Sequence, residues 1–193
     1  MKLRVVVSSS PQILNRRSTV PTVYLTPGII VIVITVKPPE ELSADERKYF
    51  VEKVTKGREV DPTTLPRLVK RARFLAFYRN QNELVGVGGV KRPYDAYRNR
   101  IFESAKSEAR PEDYEMELGW IFVERSHRGK GVGKTITCAL LGEVRHDKIY
   151  AVTRMNNEPM KHLLKCNFDF HQSGEKYQSL DGKRSLVLYV RDY

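Results

Sequence analysis

The chain has 193 residues, a formal net charge of +11 at pH 7 and a pI near 9.7. That length suits a single domain and lets it bury about 70% of the surface its unfolded chain exposes, enough for a self-sufficient core. The longest apolar run, Ile29 to Val36, is less than half of a bilayer span, and Val5 to Val7 is too brief for a signal-peptide core, so a soluble cytoplasmic protein is expected.

Residues 1–27 hold scattered Ser, Pro and Thr between short β-branched runs and read as an N-terminal extension, with one domain over 28–193. The run "GIIVIVITVKP" is β-branched at almost every position, the pattern of a strand covered on both faces and stopped by Pro38 and Pro39. "SADERKYFVEKVTKG" opens on a serine cap and closes at Gly57, which predicts a helix. A second helix is expected in "DPTTLPRLVKRAR", capped by Asp61 or Thr64 with Pro66 in its first turn. Its Arg67, Lys70, Arg71 and Arg73 read most simply as a solvated face.

"FLAFYRNQNELVGVGGV" predicts a hairpin turning at Asn80 to Asn82. The polar, tyrosine-bearing stretch "KRPYDAYRNRIFESAKSEARPEDY" reads as a long loop, of the kind that is often functional or mobile. "EMELGWIFV" is a strand. "GKTITCALLGEVRH" carries Ile136, Ala139, Leu140 and Val144 on one helical stripe. A strand "KIYAVT", a helix "NNEPMKHLLKC" with Met160, Leu163 and Leu164 inward, and closing strands "FDFHQ" and "SLVLYV" complete the order. Helices alternating with strands that cannot all be parallel make an α/β (α+β) fold. Cys138 and Cys166 fall in helical segments without metal or redox spacing and are expected as buried free thiols; no metal site is expected.

The chemistry concentrates in "SHRGKGVGKT". A triphosphate loop needs four residues between its first glycine and Gly-Lys-Ser/Thr, and Gly129 stands one residue too close to Gly133 for that ring. What remains is a glycine-rich turn entering a helix, a good anion site because unpaired N–H groups and the positive end of the helix dipole point outward together.

A strand running into Arg128, Gly131 and Gly133, followed by a helix and a second strand–helix unit, resembles the GNAT N-acetyltransferase family over residues 28–193. The resemblance implies a mixed, mostly antiparallel central sheet with helices on both faces, and acetyl-CoA as co-substrate. The amides of Gly129, Lys130, Gly131, Val132, Gly133 and Lys134 would cradle its pyrophosphate, with charge from Arg128 and Lys130. Phe122 and Val123 would lie against the pantetheine arm, and the Ile121 amide near the thioester carbonyl. Asn156 matches the family asparagine that touches the cofactor arm, while Asn157 reads as a helix cap.

Glu117 occupies the slot of the general-base glutamate in histone-type members, where a carboxylate between apolar strand residues can take a proton directly or through water. Glu115 is the reserve candidate, and pairing at a strand end with one of the chain's many arginines is the alternative role for Glu117. The family's tyrosine acid is missing, because Leu163 holds its slot; the neighbouring His162 would face about 100° away. Tyr94, Tyr97, Arg98 and Arg100 are candidate acceptor lining and would suit an acidic or phosphate-bearing amine. The implied activity is direct acetyl transfer to an amine of a protein, peptide, small molecule or aminoacyl-tRNA by a monomer or homodimer that binds no membrane. The net charge keeps open the alternative of a non-catalytic module that binds nucleic acid or an acidic protein.

Overall fold

A computed structural model describes residues 3–9 and 30–193, with side chains described from residue 31 onward. The expected extension over 1–27 therefore lies largely outside the described residues. Its one described piece, β1 (Leu3–Ser9), pairs in parallel with β2 (Ile30–Lys37). The chain continues through α1 (Ala44–Lys56), α2 (Leu65–Lys70), β3 (Phe74–Asn80), β4 (Glu83–Lys91), α3 (Asp95–Ser104), β5 (Met116–Val123), α4 (Val132–Glu143), β6 (Ile149–Arg154), α5 (Glu158–Phe168), β7 (His171–Gln172), β8 (Tyr177–Gln178) and β9 (Ser185–Arg191).

The strands form one sheet in the order β1-β2-β3-β4-β5-β6-β9-β7, with β8 also on β9. Only β1–β2 and β5–β6 are parallel, so the sheet is mixed and mostly antiparallel, with helices on both faces. On one face α4 and α5 bury Ile136, Leu140, Val144 and Leu164 against Ile34, Val36, Ala76, Leu118 and Ala151. On the other, α1 and α2 bury Phe50, Val54, Leu65 and Val69 against Leu75, Phe77, Trp120 and Phe122. Beside them, α3 packs Ile101, Phe102 and Ala105 against Tyr150, Leu188 and Val190.

Helix α1 begins where its sequence says it should. Ser43 accepts from the Glu46 amide at 3.1 Å while Glu46 accepts from the Ser43 amide at 2.9 Å, a reciprocal pair that satisfies two otherwise unpaired donors. Ahead of α2, Asp61 accepts from the Thr63 amide at 2.9 Å, whereas Thr64, at the cap position, makes no side-chain cap. The stretch between β4 and β5 corrects the expectation of a loop: it holds α3 and a 3-10 turn, Pro111–Asp113. Arg98, Ile101, Phe102 and Ala105 are its buried stripe, and an arginine in the stripe's first turn disguises the period. The segment "FDFHQ" contributes only the two-residue β7, because Asp169 turns the chain with φ 57° after α5, and β8 is a further short strand not anticipated from the sequence. Cys138 and Cys166 are free but exposed, not buried: both lie off the apolar stripes of α4 and α5.

Candidate active site

Strands β5 and β6 pair only over Met116 to Leu118 and Ile149 to Ala151, so beyond Leu118 they splay and leave a slot in the middle of the sheet. On its other side β5 stays paired with β4, but the register shifts between Val87 and Gly89, which places Trp120 and Ile121 opposite a single residue. This bulge holds Trp120 at φ 55°, a left-handed backbone that costs about 1–3 kcal/mol for a non-glycine residue. Edge-on packing against Phe50, with ring centroids 6.0 Å apart, holds the indole in place.

The bulge sorts the strand's side chains. Trp120 and Phe122 pack toward α1 and α2, whereas Leu118, Ile121 and Val123 pack toward α4. It also sorts the backbone. The Glu124 amide donates to Val85 on β4 at 2.8 Å, and the Val123 carbonyl on the opposite edge accepts from Arg128 Nε at 3.0 Å. Alternation along the strand then turns the Val123 and Ile121 amides toward the slot. Phe122 has its ring in the α1–α2 core and also lines the cleft, rather than offering the slot its side chain alone.

At the open end of the slot stands the glycine turn. Gly129 and Gly131 have φ of 73° and 79°, and nothing lies within 4 Å of a Cβ built on either, so backbone conformation is what demands glycine there. Gly131 is the N-cap of α4 and no side chain caps the helix, which leaves the first-turn amides of Val132, Gly133 and Lys134 outside the helix's own bonding. Gly133 lies within the helix with ordinary φ, and a Cβ there would sit 3.9 Å from Val123. Lys130 and Lys134 are exposed beside it. An uncapped, lysine-flanked helix N-terminus at the mouth of an edge-exposed strand fits a pyrophosphate joined to an extended amide-bearing arm.

A cleft of about 580 Å³ runs through the slot. Its α5 wall is apolar, with Met160 and Leu164. Asn157 lines it while capping α5 by accepting from the Met160 amide at 3.3 Å, as expected of a cap; Asn156 is exposed on the preceding turn and is not part of the lining. His162 is exposed and also outside it. On the opposite side of the sheet the cleft is walled by Glu59, Arg67, Arg92, Tyr94 and Tyr97.

Glu117 lies at the root of this side. It is 3% exposed, and one carboxylate oxygen is held by the Lys91 ammonium directly across the sheet, while the other, Oε2, has no partner. Lys91 reaches it by crossing Gly119, where a Cβ would come within 2.7 Å of the lysine Cε. Glu117 is thus in the cleft and also paired, with a lysine rather than an arginine. Glu115 is exposed ahead of β5 and outside the lining. The charge of Glu117, with burial, raises the Tyr97 hydroxyl's pKa above its usual value; burial first and Glu117 second do the same to Tyr150 and Tyr177. Tyr150 and Tyr177 had no signal in the sequence, since only the pairing of β6 with β5 and the return of β8 bring them here. Of the four residues expected as acceptor lining, Tyr94 and Tyr97 line the cleft, Arg98 is buried, and Arg100 borders a separate cavity.

A sequence profile of the Acetyltransferase (GNAT) family matches residues 40–168. The chain belongs to the GNAT acetyltransferase family. It is an acetyltransferase that uses acetyl-CoA. No curated protein sequence is significantly similar to it. Among solved structures its fold is similar to an acyl-CoA N-acyltransferase from Pseudomonas aeruginosa, at 12% identity and a TM-score of 0.61, covering 83% of this chain and 99% of that one. Arabidopsis thaliana Naa50 in complex with the bisubstrate analogue CoA-Ac-MVNAL is similar at 12% identity and TM-score 0.58, covering 83% and 99%. Arabidopsis thaliana NAA60 in complex with acetyl-CoA is similar at 13% identity and TM-score 0.59, covering 82% and 98%. Among the described residues no cluster of His, Cys, Asp or Glu is placed to hold a metal ion, and no helix is long and apolar enough to cross a membrane.

Proposed function

We propose that this GNAT enzyme transfers acetyl directly to a primary amine that carries an acidic or phosphate group, with Glu117 as general base. The observation that carries the reading is Glu117 itself: a buried carboxylate in the wall of the cleft with one oxygen fixed by Lys91 and the other unpartnered. That geometry orients a base while leaving one lone-pair face for a proton. Acetyl-CoA supplies the acetyl group as a thioester. The first-turn amides of α4, with those of Gly129 to Gly131, hold the pyrophosphate, and Arg128 and Lys130 add charge at the mouth. The Val123 amide pairs with the arm, and the Ile121 amide donates to the thioester oxygen as negative charge develops on it. No side chain of α5 at the Leu163 slot can donate a proton, so the thiolate leaves without a dedicated acid, which its low basicity permits.

The acceptor preference comes from charge. Lys91 is committed to Glu117, and Arg154 and Arg184 to Glu59, which leaves Arg67 and Arg92 as cleft cations without an ion pair among the described residues. An anionic group on the acceptor would meet them.

The test is CoA release from acetyl-CoA with phosphoethanolamine, an Asp-Glu-initiated peptide, spermidine and unfractionated aminoacyl-tRNA as acceptors. Anionic amines are expected to turn over fastest and Glu117→Gln to lower kcat about 100-fold or more. Preference for spermidine rejects the acceptor class, and unaltered turnover in Glu117→Gln rejects the base.

A further inference from the structure

Eight buried side-chain polar atoms among the described residues lack a hydrogen-bond partner, and four of them belong to residues gathered about Glu117. They are Glu117 Oε2, the Tyr150 and Tyr177 hydroxyls and Arg98 Nε, contributed by β5, β6, β8 and α3. Glu117 and Tyr150 are register partners on adjacent strands, so their side chains leave the same face of the sheet. Tyr177 packs into the cluster that α3 forms over Tyr150 and Leu188. The charge of Glu117 helps raise the pKa of the Tyr97, Tyr150 and Tyr177 hydroxyls, and Arg98 opposes it at Tyr150. Buried polar groups are nearly always satisfied by protein or by ordered water. Three unpartnered ones near an unpartnered carboxylate oxygen point to shared water rather than to four separate defects.

A second cavity, of about 300 Å³, lies beyond this cluster. Tyr97, Tyr177, Arg100, Asp181 and Leu186 are among its walls, and Tyr97, Ser179 and Leu186 are also walls of the acceptor cleft. Tyr97 and Tyr177 thus stand between Glu117 and an outlet flanked by exposed Arg100, Leu180 and Asp181.

We propose that Glu117 discharges its proton through this polar chamber, by water held between Glu117 Oε2, Tyr150 and Tyr177 and across the Tyr177 hydroxyl into the second cavity, away from the acceptor. This rests on Glu117 being the base. Glu117 accepts one proton from the acceptor's nitrogen as the N–C bond to the acetyl group forms and the C–S bond breaks. The resulting carboxylic acid donates that proton to the chamber water, which passes one to the Tyr177 oxygen as that hydroxyl releases its own to solvent. Glu117 returns to carboxylate with no net change in the tyrosine. Raised titration keeps both phenols protonated, so each has a proton to give as well as a lone pair to receive one. Lys91 from β4 pairs with Glu117, while Arg98 from α3 acts on Tyr150 and is itself paired with exposed Asp95; positive charge on two sides makes the chamber a poor place to store a proton and a good one to pass it through. A separate outlet matters because an acceptor seated in the cleft covers the cleft side of this nearly buried carboxylate.

The experiment compares Tyr177→Phe and Tyr150→Phe with Glu117→Gln, using acetyl-CoA and the fastest amine of the panel above, after calorimetric acetyl-CoA binding and thermal melting show each variant folded. Tyr177→Phe is expected to lower kcat about tenfold or more with little change in either KM, to increase the solvent deuterium isotope effect on kcat, and to regain turnover as imidazole is added, since a small carrier can enter the second cavity. If Tyr177→Phe and Tyr150→Phe both stay within twofold of the parent while Glu117→Gln is inactive, the route is wrong and the base stands. A loss of kcat that imidazole does not restore also overturns the route. If Glu117→Gln is fully active, or no amine of the panel turns over, the base reading and the route fall together.

Discussion

Lys91 and Glu117 are directly opposed on β4 and β5, and their side chains close an ion pair over Gly119 at the root of the cleft. The glutamate side chain is 4% exposed and the lysine 19%, so the two halves of the pair are not equivalent. Removing the lysine strands a buried carboxylate, which costs about 3–5 kcal/mol when nothing replaces the partner. Removing the carboxylate leaves a lysine that can reach water. Urea denaturation should therefore show Lys91→Met destabilised by about 3 kcal/mol or more and Glu117→Gln by clearly less, with the double variant closer to the parent than Lys91→Met. Equal losses in the two single variants would contradict this asymmetry.

The glycine turn separates conformation from contact. Gly131→Ala must adopt φ 79°, at a cost of about 1–2 kcal/mol, and is expected to lower the melting temperature as well as to raise KM for acetyl-CoA. Gly133→Ala puts a methyl on a helical residue with ordinary φ, which favours the helix by about 0.5–1 kcal/mol. That methyl would meet the Val123 and Ile121 side chains at 3.9 and 4.0 Å, ordinary contact, so stability should be unchanged or improved and KM for acetyl-CoA little altered. A rise in KM as large as that of Gly131→Ala would show that space, and not backbone conformation alone, demands glycine in this turn.

Glu59, on the loop between α1 and α2, reaches Arg154 at the end of β6 at 2.8 Å, and Arg184 ahead of β9 donates to the Glu59 and Arg58 carbonyls at 3.1 and 3.3 Å. These contacts tie two walls of the cleft across its mouth. Because the ion pair is half exposed, Glu59→Gln should change stability by no more than about 1 kcal/mol, while KM for the acceptor falls for bulky amines relative to small ones. Identical acceptor ratios in parent and variant would show that the mouth is not restricted by this bridge.

Alkaline pH offers a check on the tyrosine cluster. Tyr97, Tyr150 and Tyr177 all have pKa values raised above 10.0 in the folded protein. Above about pH 10 the unfolded chain therefore binds fewer protons than the native state, and stability falls as pH rises. Tyr150 and Tyr177, whose hydroxyls are buried, each contribute up to about 1.4 kcal/mol per pH unit until the folded pKa is reached, and the more exposed Tyr97 contributes less. Tyr177→Phe should flatten that decline by one proton's worth and leave the slope below pH 9 unaltered. A slope that is the same in both proteins would remove Tyr177 from the shielded set.

The readable parts of this chain were those in which cause and effect are close in sequence. The Ser43 cap, the stripe through Ile136 and Leu140, the turn at Gln81 and the glycine turn entering α4 each depend on residues within a few positions of one another. The family followed from the same local run, Arg128 to Gly133, on its strand and helix. Helix α3 was missed because its partners, Tyr150 and Leu188, lie far along the chain, and its stripe includes an arginine whose burial only they explain. The exposed faces of Cys138 and Cys166 were already implied by the apolar stripes beside them.

Sequence alone determined that a strand would run into a glycine-rich turn and a helix, because backbone handedness and helix-start signals are properties of short peptides. Tertiary structure alone decided what surrounds the carboxylate of β5. Strand register set Lys91 on one side of it and Tyr150 on the other, and the packing of α3 and β8 enclosed it. Register and packing are chosen by the summed burial of the whole sheet, which no short stretch of residues encodes.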